Sequence, residues 1–250
     1  MRQHSQVPRY PQFFLMLVPE LLIVMPVYNE EASVETVIRD WFHELTQMTE
    51  EFTLLVIDDG SRDKTPDVLR SLQAELGPRL EILSRENRGH GQSCMQGYRI
   101  AIERNVPHIL QIDSDGQSDP KHFGDFWALR HEFDVIYGQR TRMDGSRRVL
   151  ASLVLRTSLR LLAGVHCIDA NVPYRLMNTA ACAAAIRSIP ADFFLANVAL
   201  AVRLRRMSGI CHGSVPISFP PRSGGEPSVP FSKFAFKALE LFRQLKTLDP

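Results

Sequence analysis

The sequence predicts an α/β fold in which helices flank a mostly parallel central sheet, and three observations lead to this prediction. Over residues 21–140, five short apolar runs alternate with segments of helical periodicity. The apolar runs are nearly continuous, which is typical of strands covered on both faces. The 250 residues are 44% hydrophobic and 23% charged, the balance of an ordinary globular protein. Strand–helix alternation in such a chain favours a parallel sheet.

Each element of the first half has its own sequence signal. Strands are expected at the apolar runs, which are residues 21–25, 52–59, 80–84, 108–113 and 134–138. Helices are expected between them, at residues 30–45, 63–76, 91–104 and 120–131. The first helix has apolar side chains at a spacing that puts them on one face, namely Val34, Val37, Ile38, Trp41 and Leu45. The fourth has a proline in its first turn, where proline is favoured.

Beyond residue 138 the alternation weakens and helices predominate. Helices are expected at residues 149–163, 178–187, 193–206 and 231–248, and one strand at residues 212–219. There is no internal repeat and no low-complexity linker, so the sequence predicts a single domain over residues 1–250. The last helix has an apolar stripe flanked by basic residues, which fits either packing on the domain or contact with an anionic bilayer.

Composition and charge argue against several classes of protein. The net charge of +1 gives no bulk attraction to nucleic acid, so no nucleic-acid partner is expected. The four cysteines are scattered without a CxxC pair, which argues against a zinc site or a disulfide framework. The apolar run at residues 13–27 is interrupted by Pro19 and Glu20 and is shorter than the roughly 20 residues of a spanning helix. We therefore expect a cytoplasmic protein, with peripheral contact at the inner face of the cell membrane.

Polar loops follow the first four predicted strands. They read PVYNE, DDGS, RENRGHG and DSDGQ, in that order along the chain. In parallel sheets of this kind, ligands bind outside the carboxyl ends of the strands. The sequence therefore predicts that the four loops converge on one crevice.

The fourth loop has a spacing that points to a metal ion. Asp113 and Asp115 would face the same side of an extended chain, where they would repel each other by about 3 kcal/mol at about 5 Å and a dielectric near 20. A proton, a basic neighbour or a metal ion would offset that repulsion. With Gln117 they supply three hard oxygen ligands within five residues, which suits Mg²⁺ or Mn²⁺. The alternative is a solvated turn with a helix cap at Asp119.

Four motifs together resemble a known family. The stretches LLIVMPVYNEE, LLVIDDGSRDKT, NRGHGQSCMQGYRIA and ILQIDSDGQ resemble the inverting family 2 glycosyltransferases of GT-A (Rossmann-like) fold. The later stretches DANVPYRLM and PPRSGGEPS are similar to the branch of dolichyl- and polyprenyl-phosphate mannosyl- and glucosyltransferases. The resemblance implies a nucleotide-sugar-binding half at residues 21–140 and an acceptor-binding half at residues 141–250.

The resemblance also implies roles for individual residues. Those that would contact the base, the ribose or the rest of the nucleotide are Pro26, Tyr28, Glu30, Asp58, Asp59, Asn87 and Gly89. Those around the metal would be Asp113, which also faces the ribose, with Asp115 and Gln117.

Arginines suit the phosphates of such a reaction, because a planar guanidinium binds two oxygens at once. The resemblance places Arg140 and Arg148 near the acceptor, and Arg222 on the donor diphosphate as a catalytic group. The other arginines of this region can be explained by solubility, with their stems on an apolar helix, and they are Arg142, Arg147, Arg156 and Arg160.

The catalytic base is less well defined. Many family members have an acidic pair in a later helix, whereas this chain has Asn197 and no carboxylate between Asp192 and that helix's end. A phosphate monoester, with a second pKa near 6, arrives already ionised and needs little base. Asp169 matches an aspartate of the lipid-phosphate members, either as a catalytic group or as a turn cap that Arg175 could pair with.

The favoured interpretation is a metal-dependent inverting glycosyltransferase. It would move a sugar from a UDP- or GDP-sugar to a polyprenyl phosphate. One alternative is transfer to a hydroxyl of a saccharide or secondary metabolite. An alternative of another class is a non-catalytic protein that binds nucleotide sugars.

Overall fold

The computed structural model describes residues 18–49, 51–140, 157, 159–161, 164–167, 169–189 and 195–218. These residues contain one seven-stranded sheet with the strand order β3-β2-β1-β4-β6-β5-β7. Its strands are β1 (Leu21–Val27), β2 (Phe52–Asp58), β3 (Leu80–Ser84), β4 (His108–Gln111), β5 (Val135–Arg140), β6 (Arg175–Asn178) and β7 (His212–Ile217). β6 runs antiparallel to both of its neighbours, and the other pairings are parallel. The predicted mostly parallel sheet is confirmed.

Six α-helices with defined bounds accompany the sheet in the described part of the chain, and residues 157 and 159–161 are also helical. They are α1 (Val34–Met48), α2 (Thr65–Leu76), α3 (His90–Glu103), α4 (Phe123–Ala128), α5 (Thr179–Ile186) and α6 (Ala196–Arg206). The helix expected at residues 120–131 is shorter, because a 3₁₀ turn at Pro120–His122 precedes it and it ends at residue 128. Asp119 caps that turn by accepting from the amide of Lys121 at 3.1 Å. None of the described helices is long and apolar enough to cross a membrane.

The core explains why the first two strands are so apolar. All seven residues of β1 and all seven of β2 are buried. The apolar face predicted for the first helix is confirmed, since Val34, Trp41 and Leu45 are buried on α1. On β1, the side chain of Val24 lies so close to Gly97 of α3 that a Cβ at Gly97 would stand 2.3 Å from it. Helix α3 therefore packs against the sheet with almost no space between them.

The sheet opens where β1 and β4 separate. β4 was expected to reach residue 113, but it ends at Gln111, and the amide of Ile112 still donates to the carbonyl of Val24 at 3.2 Å. The next β1 residue that faces β4 is Pro26, which has no N–H to continue the pairing. The loop after β4 turns away there, with Gly116 at a φ of 76°. The two aspartates of this loop therefore lie beyond the strand rather than along it.

Strand β6 was not predicted. Its four residues, RLMN, occur in a stretch that we interpreted only as a motif. Its antiparallel direction brings its first residue, Arg175, to the carboxyl end of β4, opposite Gln111, and to the middle of β5, opposite Tyr137. The strand thus adds a buried arginine at the level of the candidate site.

Candidate functional site

A cleft of about 260 Å³ lies at the carboxyl ends of β1, β2 and β4. It occupies the position where the strand order reverses direction, which is where open α/β sheets bind ligands. All four predicted loops contribute to it, as expected. The residues that line the cleft are Pro26, Val27, Tyr28, Glu30, Asp59, Asn87, Gly89, His90, Asp113, Ser114 and Asp115.

The loop after β1 presents one aromatic ring and one buried carboxylate. Tyr28 is 42% exposed, so its ring has a face available to a ligand. Glu30 is buried, and its carboxylate accepts from the hydroxyl of Ser33 at 2.9 Å. Its backbone amide donates to the hydroxyl of Thr65 at 2.9 Å, which joins this loop to the start of α2. The second loop therefore fixes the position of the first.

Asp59 organises the loop that follows β3. Its carboxylate accepts from Arg85 Nε at 2.8 Å and from the backbone amides of Arg88 and Gly89 at 3.0 and 2.7 Å. The two loops approach so closely that a Cβ at Gly60 would lie 2.9 Å from the backbone nitrogen of Asn87. The buried carboxylate is therefore satisfied by a cation and two amides, and it shapes one wall of the cleft.

Asp113 forms an ion pair that we did not predict. His90, the first residue of α3, contacts its carboxylate with Nε2 at 2.8 Å. The thiol of Cys94 lies 3.8 Å from the other ring nitrogen of His90. Partial burial would lower the pKa of His90, but the neighbouring Cys94 and Asp113 outweigh that effect and raise the pKa well above its usual value. A basic neighbour, one of the three ways expected to offset repulsion between the two aspartates, is therefore present beside Asp113.

The predicted metal ligands divide into two groups. Asp113 and Asp115 both line the cleft, and Asp115 also accepts from the amide of Gln117 at 3.1 Å. The side chain of Gln117 is buried and is not part of the cleft wall. Within the described residues no group of three or more histidine, cysteine or acidic side chains could hold a metal. Two carboxylates still fit Mg²⁺ or Mn²⁺, since such ions complete their coordination with water and substrate phosphates.

On the predicted acceptor side, the described residues include one ion pair, between Arg140 and Asp169. Arg140, at the end of β5, donates through two nitrogens to the two oxygens of Asp169, at 2.5 and 2.7 Å. The pairing of Asp169 with Arg175 that the sequence suggested is wrong, because Arg175 donates to backbone carbonyls instead. Arg148 and Arg222 lie outside the described residues, as does the predicted helix at residues 231–248.

Most of the predicted donor-site residues are brought together. Two of these residues, Asp58 and Gln117, are not part of the cleft wall. The carboxylate of Asp58 instead accepts a hydrogen bond from the amide of Ser61, at 3.0 Å. The residues that the sequence analysis missed are Arg85 and His90. Both belong to the polar stretch RENRGHG that follows β3, and each pairs with an aspartate of a neighbouring loop. The sequence carries no signal that pairs either residue with its aspartate, because the partners are 26 and 23 residues apart along the chain.

Comparison with known proteins gives the family. A sequence profile of Glycosyl transferase family 2 matches residues 22–177. The chain is 29% identical over 150 residues to undecaprenyl-phosphate 4-deoxy-4-formamido-L-arabinose transferase of Aeromonas hydrophila, with 59% of this chain and 45% of the relative covered. It is 26% identical over 162 residues to polyprenol monophosphomannose synthase of Mycolicibacterium smegmatis, with 62% and 60% covered. The chain spans about half the length of these relatives.

Among solved structures, glucosyl-3-phosphoglycerate synthase from Mycobacterium tuberculosis is similar, in a complex with Mn²⁺, UDP-glucose and phosphoglyceric acid. The TM-score is 0.66 at 18% sequence identity, and the match covers 93% of this chain and 81% of that chain. At this identity the likeness shows the fold alone, and it confirms the predicted GT-A sheet with flanking helices. Because the profile match runs from β1 into β6 and covers more than half of the sequence, the chain belongs to glycosyltransferase family 2.

Proposed function

We propose that the protein is a metal-dependent inverting glycosyltransferase that moves a sugar from a nucleotide-diphosphate sugar to a polyprenyl phosphate. The observation that carries the proposal is the pair of aspartates, Asp113 and Asp115, in the cleft where β1 and β4 separate. Family membership and the names of the relatives, which act on undecaprenyl phosphate and polyprenol, support the acceptor.

The charge of the cleft supports a cation between protein and donor. Four carboxylates line its wall, those of Glu30, Asp59, Asp113 and Asp115, and they outnumber the two cations beside them, Arg85 and His90. A nucleotide diphosphate is itself an anion, so such a wall would repel it unless a positive charge lay between them. A divalent cation held by Asp113 and Asp115 would provide that charge and would stabilise the leaving diphosphate. The similar synthase of known structure contains Mn²⁺ together with its UDP-glucose.

The donor would lie with its base and ribose toward β1 and β2. The exposed ring of Tyr28 suits a flat base, and Glu30 and Asp59 supply acceptors for the N–H and O–H groups of the base and ribose. Asn87 and Gly89 form the side of the cleft below the nucleotide. The donor is therefore proposed to be a UDP- or GDP-sugar, with Arg222 as the predicted clamp on its diphosphate.

On the acceptor side we place Arg140 and Arg148, with Arg140 held by Asp169. The acceptor phosphate oxygen would attack the anomeric carbon while the bond from that carbon to the diphosphate breaks, which inverts the configuration. A carboxylate with both oxygens in an ion pair is a poor proton acceptor, and a phosphate monoester needs none. These features favour the phosphate acceptor over a sugar hydroxyl, and a role for Asp169 in holding Arg140.

Because a polyprenyl chain lies in the bilayer, this function also implies that the protein reaches the membrane surface. We propose peripheral contact at the cytoplasmic face, made by the amphipathic segment predicted at residues 231–248.

The test is a transfer assay with purified protein. Radiolabelled UDP- and GDP-sugars are incubated with undecaprenyl phosphate in the presence of Mn²⁺ or Mg²⁺, and the label is partitioned between lipid and aqueous fractions. We expect label in the lipid fraction. Label that appears only in an added saccharide or small molecule would contradict the acceptor. Metal-dependent nucleotide binding without transfer to any acceptor would indicate a binding protein instead.

The metal is tested in the same assay by two matched variants. Asp115→Asn removes a cleft carboxylate and should reduce transfer by about tenfold or more while changing the dependence on metal concentration. Asp119→Asn, four residues further on, keeps a good capping side chain for the 3₁₀ turn and should leave transfer unchanged. Full activity and an unaltered metal response in Asp115→Asn would contradict the proposed metal site.

A further inference from the structure

One cation of the described structure is fully buried without a carboxylate beside it. Arg175, the first residue of β6, has 0% exposure. Its hydrogen bonds within the described residues go to backbone carbonyls, and its Nε has no partner there. Burying a charge without a paired anion is costly, so the position of this side chain needs an explanation. The side chain of Arg175 is not part of the cleft wall, so direct contact with the donor does not explain it.

The guanidinium of Arg175 joins two separate segments. Nη2 donates to the carbonyl of Ala170 at 3.0 Å, and both terminal nitrogens lie 3.4 Å from the carbonyl of Asn197 at the start of α6. Its Cζ lies 5.0 Å from the centre of the Tyr137 ring, and this cation–π contact is a third interaction that holds the guanidinium in place. The turn at residues 169–170 is thereby fastened to helix α6.

This turn carries the residue that holds the candidate acceptor arginine. Asp169 directly precedes Ala170, and both of its oxygens accept from Arg140. A continuous series of contacts therefore runs from α6 through Arg175 and Ala170 to Asp169 and Arg140. A shift of the turn would change the direction in which the Arg140 guanidinium points, because its two bonds to Asp169 fix its plane.

The side chain must be an arginine for this connection to work. A planar fork can reach two carbonyls from different segments at once, whereas a lysine ammonium acts as a point charge. An apolar residue of similar size would leave the buried carbonyl of Ala170 without its donor. Among the described residues, the hydrogen bonds of Arg175 go to neutral carbonyls, which do not cancel its charge. A retained positive charge favours an anion nearby.

We propose that Arg175 is a positioning residue for the acceptor: by fastening the Asp169–Ala170 turn to α6, it fixes Arg140 for a phosphate-bearing acceptor. This inference rests on the proposed function. It goes beyond the donor cleft and the metal, because it assigns the acceptor geometry to a residue that touches neither substrate.

The test compares Arg175→Lys and Arg175→Met with a matched control. Arg205→Met removes an exposed arginine whose Cζ lies 5.3 Å from the same Tyr137 ring. Two quantities are measured for each variant, after circular dichroism and thermal melting have shown that it is folded. One is KM for undecaprenyl phosphate and for the sugar donor. The other is the rate at which phenylglyoxal modifies Arg140, followed by peptide mass spectrometry. Arg140 is only 22% exposed, so its release from Asp169 should raise that rate.

We expect both Arg175 variants to raise KM for the acceptor about tenfold or more, with KM for the donor almost unchanged. Both variants should also increase the rate at which Arg140 is modified. Arg205→Met should change neither the KM for the acceptor nor that rate. A folded Arg175→Lys variant with the wild-type KM for the acceptor and the wild-type rate of Arg140 modification would overturn the inference. If Arg175→Met does not fold, the result for Arg175→Lys alone settles the test. If the wild-type protein transfers nothing to the lipid, the proposed function fails, but the modification of Arg140 still tests the positioning role.

Discussion

Asp169 shows how the structure changes the interpretation of a single residue. Its position in the sequence is compatible with a catalytic group or a turn cap. In the structure its two oxygens accept from Nε and Nη2 of Arg140, at 2.5 and 2.7 Å. The side chain is only 12% exposed, so water does not compete strongly for these bonds. The carboxylate therefore holds Arg140, and in the proposed reaction it would act through that side chain.

Replacement of Asp169 by asparagine separates these two roles. Asparagine keeps the shape but loses the charge, so it should hold Arg140 more weakly. We expect KM for the acceptor to rise about tenfold, with kcat and its pH dependence retained, in steady-state assays across pH 6–9. If instead kcat falls by about a hundredfold or more at unchanged KM and its rise with pH disappears, Asp169 is a general base.

The residues that the sequence did not reveal at the site are partners of those that it did. Asp59 and Asp113 were predicted because they end strands in a recognisable motif. Their partners Arg85 and His90 are 26 and 23 residues away along the chain. Loop residues of this kind carry no periodic signal, and only the folded sheet brings them beside the aspartates. The sequence could therefore predict the carboxylates of the cleft but not the charges that balance them.

Among the elements, the long apolar strands were predictable and the short polar one was not. β1 and β2 are apolar over almost their whole length, and their burial on both faces accounts for that pattern. β6 has four residues, of which the first is an arginine and the last an asparagine. Its place between β4 and β5 depends on pairing with distant strands rather than on its own composition. This is why the antiparallel strand was missed.

The contact between α3 and β1 gives a prediction about stability. A Cβ at Gly97 would lie 2.3 and 2.8 Å from the two methyl carbons of Val24. Gly97→Ala should therefore destabilise the protein by about 1–3 kcal/mol through overpacking, in spite of the better helix propensity of alanine. Differential scanning calorimetry should show a Tm several degrees lower. Since α3 begins with His90, the same displacement should loosen its contact with Asp113.

Gly124→Ala is a matched control for this prediction, because Gly124 also lies in a helix. The nearest atom to a Cβ there is the flexible end of Met48, at 3.1 Å. This variant should keep its Tm or gain slightly. Adding Val24→Ala to Gly97→Ala should restore part of the lost stability. An increase in Tm for Gly97→Ala equal to that of the control would show that α3 has room to move.

At the scale of the whole molecule, histidines link stability to pH in two opposite ways. Burial lowers the pKa of His108, His122 and His212, so folding favours their neutral forms. Below their unfolded pKa of about 6.5 the unfolded chain binds protons that the folded protein does not, and stability falls as the pH falls. The pKa of His90 is raised, so its contribution is complete below that pH and is lost as the pH rises.

These signs predict a Tm that decreases from pH 6.5 toward pH 5. His90 opposes this decrease only near pH 6.5, because toward pH 5 it becomes protonated in the unfolded chain as well as in the folded protein. His108 is 8% exposed, and its ring packs against Trp127 with centroids 5.5 Å apart. His108→Phe keeps an aromatic ring there but cannot bind a proton, so Tm should depend less on pH over this range. Each pKa unit removed is worth about 1.4 kcal/mol, or about 3–6 °C in Tm for a chain of this length. The same substitution at exposed His43 should leave the slope unchanged. Equal slopes for His108→Phe and the wild-type protein would show that burial of His108 does not govern the loss of stability in acid.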